Sequence, residues 1–242
     1  MCTTGPGLSR NRRQTMLPSM IVNFSKGFVF IHIPKTGGSS IAATLKKDVP
    51  DNQQRLHRFC SRLGFSGFRK HLAVARNTKH ETYQQFIDQF EQRTGLPQSV
   101  ALALRPVAFV RHPVSRFISL HRYLLAKCRE SYPEVPSDIN AWRAVVQEGT
   151  APYLAGIRSL KAQSSFVQGT EVRYFLGKFE ALDEDVKRLG AVIGADLNLR
   201  HLNQSARRPA SKNDWLDLSE TTMVFLQEAY AEDFRNFGYS TD

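Results

Sequence analysis

Residues 28–40, with the sequence FVFIHIPKTGGSS, limit the possible folds of this chain more than any other segment. The segment begins with a run of apolar residues, which favours a buried strand. It continues into a loop with one lysine, two adjacent glycines and three hydroxyl side chains. The first N–H groups of a helix have no partner within the helix and therefore bind anions well. We expect a strand, a phosphate-binding turn and a helix to about Lys47, with Ser39 or Ser40 as its N-cap.

The order of residues in this loop distinguishes it from the loop that binds nucleoside triphosphates. That loop reads G-x-x-x-x-G-K-[ST], with the lysine after the glycines. Here Lys35 precedes Gly37 and Gly38. The pattern therefore predicts a phosphate site of a different kind, and a P-loop phosphotransferase that uses ATP is retained as an alternative function.

The composition is that of a globular protein with a strong positive charge. The 242 residues are 41% hydrophobic and 23% charged, which suits one α/β domain, and the formal net charge is +11. No acidic residue occurs before Asp48 or between Asp51 and Glu81, and the latter interval contains seven arginines and lysines. Such a field attracts nucleic acid, anionic lipid, anionic glycan or a nucleotide. A basic nucleic-acid-binding module and a solvated basic face without a specific partner are the alternatives.

Cysteines and apolar segments bear on the location of the chain. Cys2, Cys60 and Cys128 are too scattered for a disulfide framework or a metal site. No segment is long and apolar enough to span a membrane, and no apolar stretch follows the N-terminal arginines as in a secretory signal. We expect a cytoplasmic protein, with peripheral membrane association as a further option. Residues 1–24 are predicted to form a flexible arm and residues 25–240 a single domain.

Strand and helix signals alternate along the rest of the chain. Thr82 and Gln85 match a capping box, and Pro113 stands where a helix would begin. The predicted elements are a helix from 82 to about 93, a strand at 105–111, a helix from 113, a strand at 172–176 or slightly beyond, and helices at about 182–194 and 219–236. This alternation predicts an α/β, P-loop-like fold of three layers, with a central, mainly parallel sheet between helices.

A second anion-binding pattern occurs in residues 109–123, FVRHPVSRFISLHRY. Arg111 ends the predicted strand, and Ser119 lies two turns into the following helix. A guanidinium group offers a planar fork of donors to a phosphate, and a serine hydroxyl adds another donor. The alternative is that Arg111 and Arg116 form structural ion pairs. Two such sites in one domain indicate a single ligand with phosphates at both ends.

These residues resemble the sulfotransferases that use 3′-phosphoadenosine 5′-phosphosulfate (PAPS). Residues 34–40 resemble their 5′-phosphosulfate loop, and residues 110–123 resemble their 3′-phosphate strand and helix, with His112 where the family often has asparagine. The branch most similar includes the Golgi carbohydrate sulfotransferases and soluble bacterial relatives. Residues 178–182, 201–205 and 230–239 extend the resemblance over most of the chain from 28 to 239.

The resemblance implies transfer of a sulfuryl group from PAPS to an acceptor hydroxyl on a carbohydrate. Lys35 would be catalytic, stabilising charge as the phosphate leaves. The residues that would bind the donor are Lys35, Thr36, Gly37, Gly38, Ser39, Ser40, Arg111 and Ser119. No metal is expected. The acceptor would be an anionic or neutral glycan; a lipid, a tyrosine side chain or a small metabolite is left open, as is the oligomeric state.

The acceptor hydroxyl also requires a general base. His71 is the leading candidate, because its position resembles the Lys-His or Gly-His position of related glycan 2-O-sulfotransferases and its basic surroundings favour the neutral ring. A carboxylate, Glu81 or Asp51, is the competing assignment, and the third reading is a histidine without a chemical role. His32 is expected to be structural.

Overall fold

The structure is a computed structural model and describes residues 20–49, 80–168, 174–200 and 215–241. The strands are β1 (Ile21–Asn23), β2 (Phe28–Ile31), β3 (Arg105–Val110) and β4 (Phe175–Lys178). The α-helices are α1 (Gly38–Asp48), α2 (Tyr83–Thr94), α3 (Gln98–Leu102), α4 (Pro113–Lys127), α5 (Ile139–Glu148), α6 (Ser164–Val167), α7 (Leu182–Ile193), α8 (Glu220–Ala229) and α9 (Ala231–Phe237). Short 3₁₀-helices span Pro152–Gly156, Arg158–Leu160 and Phe179–Ala181.

The four strands form one sheet in the order β1-β2-β3-β4. β2 pairs parallel with β3, and β3 pairs parallel with β4, with Phe30 opposite Val107 and Val107 opposite Phe175. β1 pairs antiparallel with β2 at the edge. The prediction of a mainly parallel sheet is therefore confirmed. The two central strands are almost continuously apolar because helices cover the sheet on both faces.

Alternate side chains of β2 and β3 point into two separate cores. Phe28 and Phe30 pack with α1 and α7, whereas Val29 and Ile31 pack with α2. The period of two along a strand produces this division, and it places a layer of helices on each face of the sheet. A third core lies between α4, α5, α8 and α9, where Trp142 is fully buried and stacks on Phe117 with ring centroids 4.6 Å apart.

Most of the predicted boundaries hold, and two of the predicted helices differ. α2 begins with the expected capping box, in which Thr82 and Gln85 exchange hydrogen bonds. α1 is instead capped by Gly37, because the turn requires a left-handed backbone with φ of 80° at that position, where serine is disfavoured. The predicted helix at 219–236 is divided at Tyr230 into α8 and α9. At Tyr230 the backbone leaves the helical conformation, with ψ at 25°.

The predicted arm of residues 1–24 is too long at its C-terminal end. Met20 and Val22 are buried, and β1 hydrogen-bonds to β2. The apolar side chains of this short strand complete the edge of the core, so the chain is already packed by residue 20. Residues 1–19 lie outside the described part, and the single domain over 25–240 stays a prediction. No described helix has the length and apolar character required to cross a bilayer.

Candidate active site

The two predicted anion motifs lie side by side at the carboxyl ends of β2 and β3. Because these strands are parallel neighbours, the loops that follow them emerge at the same edge of the sheet, where α/β proteins bind ligands. Arg111 donates from Nη1 to the carbonyl of Lys35 at 3.4 Å, and Arg116 donates from Nε to the carbonyl of Pro34 at 3.1 Å. The structure therefore brings Lys35 and Arg111 into one cleft.

Close packing shapes the loop from 34 to 40 into a turn. Gly38 opens α1, and a Cβ at this position would lie 2.1 Å from the ring of His32. A Cβ at Gly37 would meet the ring of Phe179 at 3.1 Å. The Thr36 hydroxyl donates to the carbonyl of Ile33 at 2.9 Å, which closes the turn. The glycines thus bring the backbone closer to its neighbours than other residues allow, as in a phosphate cradle.

Lys35 projects from this turn into a cleft with little countercharge. Its Nζ lies 4.1 Å from the centroid of the Tyr123 ring. Burial, and secondly the positive charge of Arg111, lower the pKa of Lys35 to about 8, and Cys128 acts in the opposite direction. An ammonium group held in such surroundings is poised to accept a negative ligand.

Arg111 is the second cation of the cleft and is only 4% exposed. Its Nε is buried without a hydrogen-bond partner among the described residues, and its guanidinium carbon lies 4.2 Å from the centroid of the Phe179 ring. Burial is the main cause that lowers the pKa of Arg111 to about 10, while the charge of Glu180 raises it. An unpaired buried donor is costly, so this atom marks a position where an anion would satisfy the group.

Ser119 lies on α4 one turn before Tyr123, and both residues therefore share one face of the helix. Because the ring of Tyr123 contacts Lys35, this face is directed toward the loop from 34 to 40. Ser119 is half-buried there. Ser39 and Ser40 occupy the first turn of α1, close to the N–H groups that have no intrahelical partner.

A buried polar network that the sequence did not reveal holds the backbone of Arg111. The Gln163 side chain accepts from the N–H of Arg111 at 2.9 Å and donates to its carbonyl at 2.7 Å. Asp233, which is fully buried, accepts in turn from the N–H groups of Gln163 and Ser164, each at 2.7 Å. The resemblance of residues 230–239 marked this region, but nothing local in the sequence points to its link with Arg111.

Glu180 holds the N-terminus of α4 through a hydrogen bond separate from those of Gln163. It accepts from the N–H of His112 at 2.8 Å and from the hydroxyl of Tyr239 at 3.0 Å. The ring of His112 packs among the rings of Trp215, Phe234 and Tyr239, and burial lowers its pKa. The segment from 178 to 182 and the end of the chain therefore support the arginine motif.

Arg116 has a structural position, and among the described residues it forms hydrogen bonds but no ion pair. It is buried and donates to the carbonyls of Pro34, Ser159 and Lys161, at 3.1, 2.8 and 3.0 Å. These bonds tie α4 to the first loop and to the Arg158–Leu160 turn. Arg116 is therefore occupied, and Arg111 is the arginine of this motif that faces the cleft.

The candidates for the general base are only partly within the described residues. His71 and Asp51 lie outside them. Glu81 is buried against Arg93, with Oε1 2.8 Å from Nη1, and burial raises its pKa. Glu81 is therefore held in an ion pair with Arg93, and its role as a base stays a prediction.

The structure draws attention to His80, which the sequence reasoning passed over. Its ring centroid is 5.1 Å from that of His32, and its Nδ1 lies 3.3 Å from the His32 carbonyl oxygen. Since His32 packs against Gly38, His80 stands close to the loop. In the tautomer that donates from Nδ1, Nε2 is the basic nitrogen. The signal that could have found His80 is its place two residues before Thr82, the N-cap of α2.

The fold and the site together define an α/β protein of the P-loop-like class, in which Lys35 and Arg111 lie just beyond the carboxyl ends of two neighbouring parallel strands. The chain belongs to the sulfotransferase family, whose family model matches residues 18–240. It is therefore an enzyme that transfers sulfuryl groups. No curated protein and no solved structure shows a significant match to the chain.

Proposed function

We propose that this protein transfers the sulfuryl group of PAPS to a hydroxyl group of a carbohydrate. The observation that carries the proposal is the cleft between the two loops, where Lys35 and Arg111 lie close together and Arg111 has a buried, unpaired Nε. The buried Arg111 and the half-buried Lys35 repel each other, and a polyanion between the two cations would stabilise both. PAPS carries phosphate groups at its 3′ and 5′ positions, and the sulfotransferase family generally uses it as the donor.

The residues present fit this donor. Arg111 and Ser119 would hold the 3′-phosphate, and the backbone and hydroxyl groups of residues 36–40 would hold the 5′-phosphate. Bound PAPS supplies an activated sulfuryl group. Lys35 would donate to the oxygen between phosphorus and sulfur and would stabilise the charge that develops there. The Thr36 hydroxyl proton is already used by Ile33, so Thr36 contributes its backbone N–H.

The transfer replaces one bond to sulfur by another. A bond forms between the acceptor oxygen and sulfur, the bond from sulfur to the phosphate oxygen breaks, and the proton of the acceptor goes to a base. His71 remains the candidate from sequence, and His80 is the candidate that the loop geometry supports. Among the described residues no group of three or more His, Cys, Asp or Glu side chains is arranged to hold a metal. We propose that the reaction requires no metal ion. EDTA should therefore leave the rate unchanged.

A glycan acceptor is proposed from the resemblance and from the basic residues between 55 and 79. A cytoplasmic location is proposed with it. Transfer of ³⁵S from labelled PAPS to a panel of neutral glycans, sulfated glycans, lipids and tyrosine peptides tests the acceptor. Labelling of lipid or peptide alone would overturn the carbohydrate assignment while leaving the donor assignment intact.

Calorimetric titration tests the donor directly. Adenosine 3′,5′-bisphosphate should bind more tightly than AMP or ATP, and Arg111→Ala should remove most of the difference between the bisphosphate and AMP. A preference for ATP with magnesium would support the phosphotransferase alternative. Tight, salt-dependent binding of mixed DNA that the bisphosphate does not weaken would support the nucleic-acid alternative.

A further inference from the structure

Tyr123 contacts Lys35, although the proposed transfer reaction gives Tyr123 no role. Tyr123 lies on α4 and is 44% exposed. The Nζ atom of Lys35 lies 4.1 Å from the centroid of the Tyr123 ring. A cation this close to the face of an aromatic ring is attracted by the ring quadrupole. Among the described residues no carboxylate lies within ion-pair distance of the ammonium group.

We propose that Tyr123 is a positioning residue for Lys35, whose ring face holds the ammonium group at the cleft until the phosphosulfate of the donor takes it over. This inference rests on the proposed function, in which Lys35 acts on the donor. Tyr123 itself does not contact the reacting atoms in this scheme. Its ring fixes the position of the ammonium group before the donor binds, and it favours the protonated form of Lys35.

The backbone and the side chain of Lys35 have different partners. The ammonium group can therefore pass from the Tyr123 ring to the donor while the backbone stays fixed. The carbonyl of Lys35 accepts from Arg111, so the backbone stays in place. The ammonium group is held by the π face, which is a weaker partner than a phosphosulfate group with its two negative charges. A negative donor therefore displaces the ring from the ammonium group without moving the loop.

The ring also offsets two influences that favour loss of the proton. Burial and Arg111 both lower the pKa of Lys35, and Cys128 is the other titratable group that acts on it, in the opposite direction. Removal of the ring should therefore make the amine neutral at lower pH. A neutral amine could not stabilise the leaving phosphate.

The proposal is tested by the reactivity of Lys35 toward acetic anhydride as a function of pH, measured by mass spectrometry. Half-maximal labelling of the wild-type protein is expected near pH 8. Tyr123→Phe keeps the ring and should leave this midpoint unchanged. Tyr123→Leu should lower it by about half a unit to one unit. An unchanged midpoint in Tyr123→Leu would overturn the proposal.

A second series of variants separates the effect of the π face of residue 123 from an effect of side-chain shape. Phenylalanine with one, two and three fluorine atoms at position 123 retains the ring but progressively weakens its quadrupole. The labelling midpoint should fall with each fluorine, and kcat should fall with it while KM for PAPS changes little. A series with no trend would refute the role of the π face even if Tyr123→Leu were unstable.

The same labelling separates failure of this inference from failure of the proposed function. Adenosine 3′,5′-bisphosphate should suppress acetylation of Lys35 in the wild-type protein. If it does not, Lys35 does not face the donor and the proposed function is wrong, whatever Tyr123 does. If it does, but the Tyr123 variants label like wild type, only the positioning role is wrong.

Discussion

Replacing Gln163 by methionine should weaken the binding of a 3′-phosphate although Gln163 does not face the donor. The side chain is fully buried, and its amide pairs with both the N–H and the carbonyl of Arg111. Methionine has nearly the same shape but can form neither bond. The variant therefore releases the backbone from which the Arg111 guanidinium projects.

The magnitude follows from the groups left unpaired. Loss of the amide leaves two buried backbone groups of Arg111 without partners, at about 1–3 kcal/mol each in the free energy of unfolding. If the segment relaxes to reach other partners, the guanidinium moves and loses a charge-assisted hydrogen bond of about 1.5–3 kcal/mol to the phosphate. Affinity for the 3′-phosphate should then fall by about 10- to 100-fold.

The assay compares two ligands, so that general damage cancels. Calorimetry with adenosine 3′,5′-bisphosphate and with AMP gives the increment in binding that is due to the 3′-phosphate. Gln163→Met should reduce this increment and leave the affinity for AMP within about twofold. Gln168→Met is the matched control, because Gln168 is exposed. Equal losses for both ligands, or none, would refute a specific link between Gln163 and the arginine.

Four further predictions concern the first loop and the two candidate bases. Because the protonated form of Lys35 is required and its pKa is lowered to about 8, kcat/KM should decrease above about pH 8; a rate that stays constant to pH 9.5 would contradict this. Lys35 has φ of 69°, so Lys35→Gly should be more stable than Lys35→Ala by about 1–2 kcal/mol in chemical unfolding, with both variants inactive. Equal stabilities would argue against backbone strain. Gly38→Ala should lower the melting temperature and weaken binding of the bisphosphate, since the new methyl group overlaps the His32 ring; near-wild-type affinity would show that the ring moves freely. His80→Asn and His71→Asn distinguish the two candidate bases, and the base is the residue whose loss removes the acidic limb of the pH–rate profile.

The sheet and the positions of the two loops that carry the proposed phosphate motifs could be predicted because their signals are local. A buried strand followed by a glycine-rich turn, or by Arg-x-Pro, is contained within about fifteen residues, and packing of parallel strands then brings the two motifs together. The contacts of Gln163 could not be predicted in this way. They join residues 52 and 70 positions apart in the chain, and an isolated glutamine gives no periodic signal of burial.

The N-termini of α1 and α2 show the same difference between a local sequence signal and an effect of the fold. Thr82 was predicted correctly as an N-cap because a capping box is a pattern of side chains in sequence. For α1 the hydroxyl residues suggested a serine cap, but the sharp turn after β2 needs a left-handed residue, and Gly37 supplies it. Here the path of the backbone, rather than capping preference, decides where the helix begins.

The backbone conformations of Lys35 and His80 give a further reason to regard both as functional. They are the non-glycine residues with positive φ in the described part of the chain, at 69° and 64°. An L-residue in this region costs about 1–2 kcal/mol relative to glycine. A chain that needed only the turn would place glycine there, as it does at Gly37. The strain persists at two positions beside the same loop, where each side chain carries a titratable nitrogen. The conformations are thus explained if the amine of Lys35 and the imidazole of His80 are needed where the loop holds them.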